Sequence, residues 1–288
     1  MTSKLPWALV AASTLTLSTA GPTPAADPPP PVRTETVTEV RIVGLRGTPA
    51  DSLERVGFDA YSDGAYEDAA DAFLDAITAG SRADASERSR ASLSQLHSDL
   101  AWLYFEVGRV AEADSLLRRA LEIEKKAGGD DELAVARRTT ELAMLQQATG
   151  NHKAAGPLLD EVLELQAKRA KKADPREVAF TLHLLARNYH ATGDPTQSET
   201  FYQRALAGLD EKATMDKSQW AATMLDLAEL YHATHRDKEA REAFEKALKK
   251  ANELYEDGGL PNAIVLNPYS VLLRRAEAAR ALSDSAAH

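Results

Sequence analysis

Residues 94–123 read SQLHSDLAWLYFEVGRVAEADSLLRRALEI, and their apolar positions form two stripes around one glycine. Leu96, Leu100, Leu103, Tyr104 and Val107 precede Gly108, and Ala113, Leu116, Leu117, Ala120 and Leu121 follow it. Steps of three and four place each set on one side of a helix, so the stretch predicts a helical hairpin. Ala101, Ala113 and Ala120 are small where two helices would cross closely.

The hairpin recurs along the chain. Ala69, Ala113, Ala155, Ser198 and Ala240 are equivalent positions, separated by 44, 42, 43 and 42 residues. Five residues before the first four stands a glycine, at Gly64, Gly108, Gly150 and Gly193. A helix that ends in a tight turn needs a positive φ there, which glycine adopts freely. His235 takes the place in the fifth copy, which predicts a strained or differently shaped turn. The first helices carry Val56-Gly57, Leu100-Ala101, Leu142-Ala143, Leu185-Ala186 and Leu227-Ala228. Four residues after each leading apolar residue come Ala60, Tyr104, Gln146, Tyr189 and Tyr231. The second helices carry Phe73, Leu117, Leu159, Tyr202 and Phe244, followed by Ala76, Ala120, Val162, Ala205 and Ala247. Ala60, Gln146 and Val162 make the first and third copies imperfect.

This pattern resembles the tetratricopeptide repeat, in the longer variety of about 42 residues known from kinesin light chains. The resemblance covers roughly residues 50–248. It implies an all-α fold: a right-handed α-solenoid of about five helix–turn–helix repeats whose first helices line a concave groove. Laid on this sequence, the groove positions are Phe58 and Tyr61; Ser98, Trp102 and Phe105; Thr140, Met144 and Gln147; His183, Arg187 and His190; and Glu229 and His232. The first half of such a groove is aromatic and apolar, the second polar. Trp102 and Phe105 serve equally as groove wall or as packing against the next repeat. Some members of the family clamp acidic peptide C termini with lysines and asparagines. Trp102, Met144, Arg187 and Glu229 stand in the asparagine places here. An aromatic cradle for an apolar or helical segment, with Arg187 and the histidines meeting an acidic or polar end, fits better.

The termini read differently. Residues 1–26 have the form of an export signal: Lys4, an apolar run over 5–17, then small residues with candidate cleavage after Ala20, Ala25 or Ala26. Residues 27–49 are a linker that begins with four consecutive prolines, Pro28 to Pro31, and contains an alternating strand-like stretch at 34–45. That stretch is either a tail without fixed structure or a strand that pairs with another protein's sheet edge or with a second copy of itself. The solenoid is expected over 50–256, and residues 257–288 contain an amphipathic stretch at 267–282 suited to cap its open end.

Capping signals mark several helix starts. Asp174-Pro175 and Asp194-Pro195 set a carboxylate before a proline at the first helical position. Asn151 is a candidate cap for the second helix of the third repeat, with Pro157 near its first turn. Asp130 and Asp131 add negative charge ahead of Glu132.

Composition narrows the function. With 34 basic and 44 acidic residues the net charge is −10, which disfavours nucleic acid and anionic membrane surfaces as partners. The chain has no cysteine, which removes disulfides, thiol catalysis and cysteine-ligated zinc. No nucleotide loop, HExxH or GxSxG motif occurs. The expectation is an exported, periplasmic or secreted, non-catalytic scaffold that needs no cofactor and binds a protein or peptide in its groove. The alternatives are a self-assembling structural scaffold and a metal-binding protein using His183, His190, His232 and Glu229.

Overall fold

A computed structural model describes residues 49–81, 87–126, 132–210 and 214–256. The expected export signal, linker strand, C-terminal cap and the Asp130–Asp131 helix start lie outside these residues. Ten helices follow one another: α1 Pro49–Ser62, α2 Tyr66–Ser81, α3 Glu87–Glu106, α4 Val110–Lys126, α5 Glu132–Ala148, α6 His152–Lys168, α7 Pro175–Thr192, α8 Pro195–Ala207, α9 Thr214–Ala233 and α10 Asp237–Glu256. Each odd-numbered helix packs on the next to form a hairpin, and each even-numbered helix packs on the first helix of the following hairpin. Among the described residues the structure is a helical solenoid without strands.

The repeat positions explain the stacking. Ala69, Ala113, Ala155, Ser198 and Ala240 are all buried, as are Ala76, Ala120, Val162, Ala205 and Ala247. Side chains this small let the helices of a hairpin approach, and the leading leucines Leu100, Leu142, Leu185 and Leu227 fill the space between hairpins. Ser198 keeps the small volume and places its hydroxyl on the Ala186 carbonyl at 2.8 Å. Gly57 replaces alanine because a Cβ there would meet the Phe73 ring at 3.0 Å.

The irregular first copy has a tertiary cause. Val56 occupies the leading position yet is 42% exposed, whereas Leu100 is fully buried. Leu100 packs under the preceding hairpin, and no described residue precedes α1.

All five hairpin turns share one geometry. The amide just after the turn glycine or His235 bonds back five residues: Ala65 to Ala60, Arg109 to Tyr104, Asn151 to Gln146, Asp194 to Tyr189 and Arg236 to Tyr231, at 2.7–2.9 Å. This is the Schellman arrangement, with Gly64, Gly108, Gly150 and Gly193 at φ 76–86°. His235 holds the same place at φ 60°, so the fifth turn keeps its shape and absorbs the strain of a side chain in the left-handed region.

The caps divide. Asp174 accepts from the Arg176 amide and Asp194 from the Gln197 amide, each ahead of a proline. Asn151 makes no side-chain cap; its amide donates to Gln146 Oε1 at 2.8 Å instead. Gln146, placed where other repeats carry tyrosine, in turn donates to Asp114 Oδ1 at 2.8 Å. Pro157 is the sixth residue of α6, in its second turn rather than its first.

Candidate functional site

Helices α5, α7 and α9 touch one another in succession, which makes the first helices the inner wall. The expected groove residues occupy this wall at different depths. Trp102, Met144, Gln147 and His183 are buried; Phe58, Tyr61, Phe105, Arg187, His190 and Glu229 are partly buried; His232 is exposed.

In the aromatic half, Trp102 forms the floor. It is 3% exposed and packs with Ala143, Met144, Leu184 and the partly buried Phe58, Tyr61 and Phe105. The Phe105 ring meets it edge-on at 5.9 Å. The Trp102 Nε1–H has no acceptor among the described residues. Tyr61 donates its hydroxyl to Glu106 Oε2 at 2.6 Å, and burial, reinforced by this bond, pushes the phenol well above its ordinary range. Of the two roles open to Trp102 and Phe105, inter-repeat packing takes Trp102 fully and Phe105 in part.

Below this floor the second and third hairpins are tied by a buried ionic network. Arg138 reaches Glu141 at 2.8 Å, Ser98 Oγ at 2.9 Å and Gln95 Oε1 at 2.8 Å, and its Nε lies 3.7 Å from Glu124. Ser98, a groove position by sequence, donates to Glu141 Oε2 at 2.6 Å and faces the neighbouring hairpin.

The polar half centres on Asp226. Its Oδ2 lies 3.3 Å from His183 Nε2 and 3.8 Å from Arg187 Nε. His183 Nδ1 is 3.0 Å from Thr223 Oγ1, and the ring lies against Phe180 and Tyr202. Burial lowers the His183 pKa to about 4, against the opposing pull of Asp226. A neutral ring carries a single N–H, for which Thr223 Oγ1 and the Asp226 carboxylate are the two neighbouring acceptors. Burial also lowers His190, again against Asp226.

The structure brings His183, Arg187 and Asp226 together, with His190 one turn beyond Arg187, but does not gather the ligands of the alternative metal-binding reading. Among the described residues no three His, Cys, Asp or Glu side chains are arranged to hold a metal ion. His232 instead contacts Asp237 at 3.0 Å, across its own hairpin turn.

Sequence reasoning missed Asp226, Glu141 and Arg138. A signal existed: an acidic residue directly precedes the leading leucine in three copies, at Asp99, Glu141 and Asp226. Charge at such a position reads as a solvated face. Only the contact between hairpins reveals that it is enclosed. No described helix is long and apolar enough to cross a membrane.

Family comparison agrees with the geometry. Tetratricopeptide repeat models match residues 92–168, 132–211 and 220–258. No curated protein matches the chain. Among solved structures, BtubC from P. vanneervenii is 21% identical over 74% of this chain and 82% of that one, with a TM-score of 0.60. A Podosopora anserina protein with nearly identical TPR-like repeats of the kinesin-light-chain kind is 24% identical over 70% of this chain and 95% of that one, TM-score 0.55. A Rap protein complexed with competence and sporulation factor is 15% identical over 82% of this chain and 66% of that one, TM-score 0.58. At such identities the likeness bears on the fold alone. The repeated matches across the helical hairpins, and the shared architecture, place this chain in the tetratricopeptide repeat family.

Proposed function

We propose that the chain is an exported, non-catalytic adaptor that holds a polypeptide segment of another protein along the inner wall of α1, α3, α5, α7 and α9. One observation carries the reading: three aromatic side chains, Phe58, Tyr61 and Phe105, are left partly uncovered on that wall around a buried Trp102. Partly covered aromatics gain the most from a partner that completes their burial, because each carries a large apolar area at small entropic cost. The structural neighbour complexed with competence and sporulation factor supports the reading by analogy of fold. Export rests on the three-part form of residues 1–26.

Site-directed photo-cross-linking tests the groove. A p-benzoylphenylalanine in place of Phe105 is expected to capture a partner from the exported fraction, and the same group in place of Ser115 on α4 is not. Equal capture at both positions, or none at Phe105, refutes the reading. N-terminal sequencing of the exported chain tests the signal, with Gly21, Ala26 or Asp27 as the expected first residue.

A further inference from the structure

The polar half of the wall contains an unused binding group. Arg187 carries five N–H donors in a planar fork. Its side chain is 22% exposed, and its sole ion-pair contact among the described residues is Asp226, 3.8 Å from Nε, beyond hydrogen-bond distance. The Asp226 oxygen that it approaches already faces His183 Nε2. The terminal amino groups of Arg187 therefore point their donors at no described acceptor. His190, one turn further along α7, is partly buried, and its ring makes no hydrogen bond among the described residues. A partly desolvated guanidinium beside a free imidazole is matched by an oxyanion, and a carboxylate takes the fork in two parallel bonds.

Building on the groove reading above, we propose that Arg187, with His190, receives an acidic side chain within the bound segment, and that an apolar side chain of the same segment lies on Phe105. An internal residue is favoured over a chain end because α9 extends the inner wall past Arg187, so the groove does not stop there. The spacing follows from the fold. Helix α5 separates α3 from α7, and two interhelical steps of 8–10 Å make roughly 20 Å. An extended chain covers that distance in about six residues. The recognised segment thus carries an aromatic or aliphatic residue and, about six positions away, Asp or Glu.

The test selects a phage-displayed library of random dodecapeptides on the whole chain. The strongest binders are synthesised with fluorescein, with free and with amidated C termini, and titrated by anisotropy. Binders are expected to show the six-residue spacing and to bind equally with either C terminus. Replacing their acidic residue by the amide is expected to weaken binding roughly tenfold on the native protein but less than about twofold on Arg187→Gln. Arg187→Lys, which keeps charge without the fork, is expected to recover only part of the loss. Circular dichroism checks that the variants keep their helicity. Binding that needs a free C terminus, or that ignores the acidic residue while still falling in Phe105→Ala, overturns the proposal and leaves the groove reading standing. Failure to select any binder, or binding indifferent to both Phe105→Ala and Arg187→Gln, overturns both.

Discussion

Arg138→Met removes the charge that joins α3, α4 and α5 across the boundary between the second and third hairpins. The Arg138 side chain is 8% exposed, and its partners Glu124 and Glu141 are 9% and 10% exposed. Methionine fits the volume of the stem but leaves two enclosed carboxylates unpaired. It also orphans the acceptor Gln95 Oε1 and one contact of Ser98. Breaking a buried pair in this way costs about 3–5 kcal/mol. For a solenoid of about two hundred residues that lowers the melting temperature by roughly 10 °C. Because each hairpin touches only its neighbours, the loss is local to one interface, so the N-terminal hairpins separate from the rest before global unfolding. Urea denaturation followed by circular dichroism gives the loss, and hydrogen exchange resolved by peptide shows where it falls. Exchange in α1–α4 is expected to accelerate well ahead of α7–α10. The companion variant Arg138→Met with Glu141→Leu and Glu124→Leu restores part of the stability, since matched apolar side chains no longer confine a charge. A loss below about 1 kcal/mol, or uniform acceleration along the chain, refutes the reasoning.

Three further outcomes are expected. The folded-state pKa of His183 is lowered to about 4 from an ordinary value near 6.5. Its contribution to stability is therefore complete above pH 6.5. It is lost as pH falls toward 4, by up to about 3 kcal/mol, because the unfolded chain takes up the proton first. Denaturation across that range should be less pH-dependent in His183→Gln, and identical profiles would contradict the enclosed neutral ring. His235→Gly relieves a side chain at φ 60° and should raise stability by about 1 kcal/mol in thermal unfolding; a decrease would mean that the left-handed turn is wrongly placed. Ala113→Leu crowds a fully buried helix crossing and should destabilise by about 1–3 kcal/mol, and an unchanged melting curve would refute the register.

The fold was legible in the sequence because close stacking restricts few positions but restricts them in every copy. Ala69, Ala113, Ala155, Ser198 and Ala240 repeat because a larger side chain would hold two helices apart, and Gly64, Gly108, Gly150 and Gly193 repeat because the turn needs a positive φ. The wall was legible as an assignment of positions but not of depth. His183 and His190 differ little in sequence context, yet one is enclosed by Thr223, Asp226 and Tyr202 and the other is only partly buried. Arg138 and Arg187 illustrate the same gap: both lie on first helices, and only one finds its carboxylate within hydrogen-bond distance.

Periodicity alone thus determined the helices, their pairing and the order of hairpins, since these depend on contacts between residues a few turns or one repeat apart. The tertiary structure decided which polar groups are enclosed and which keep donors to spare. That outcome depends on what the neighbouring hairpin sets opposite each side chain, some forty residues away, as Asp226 is set opposite His183, and no local pattern records it.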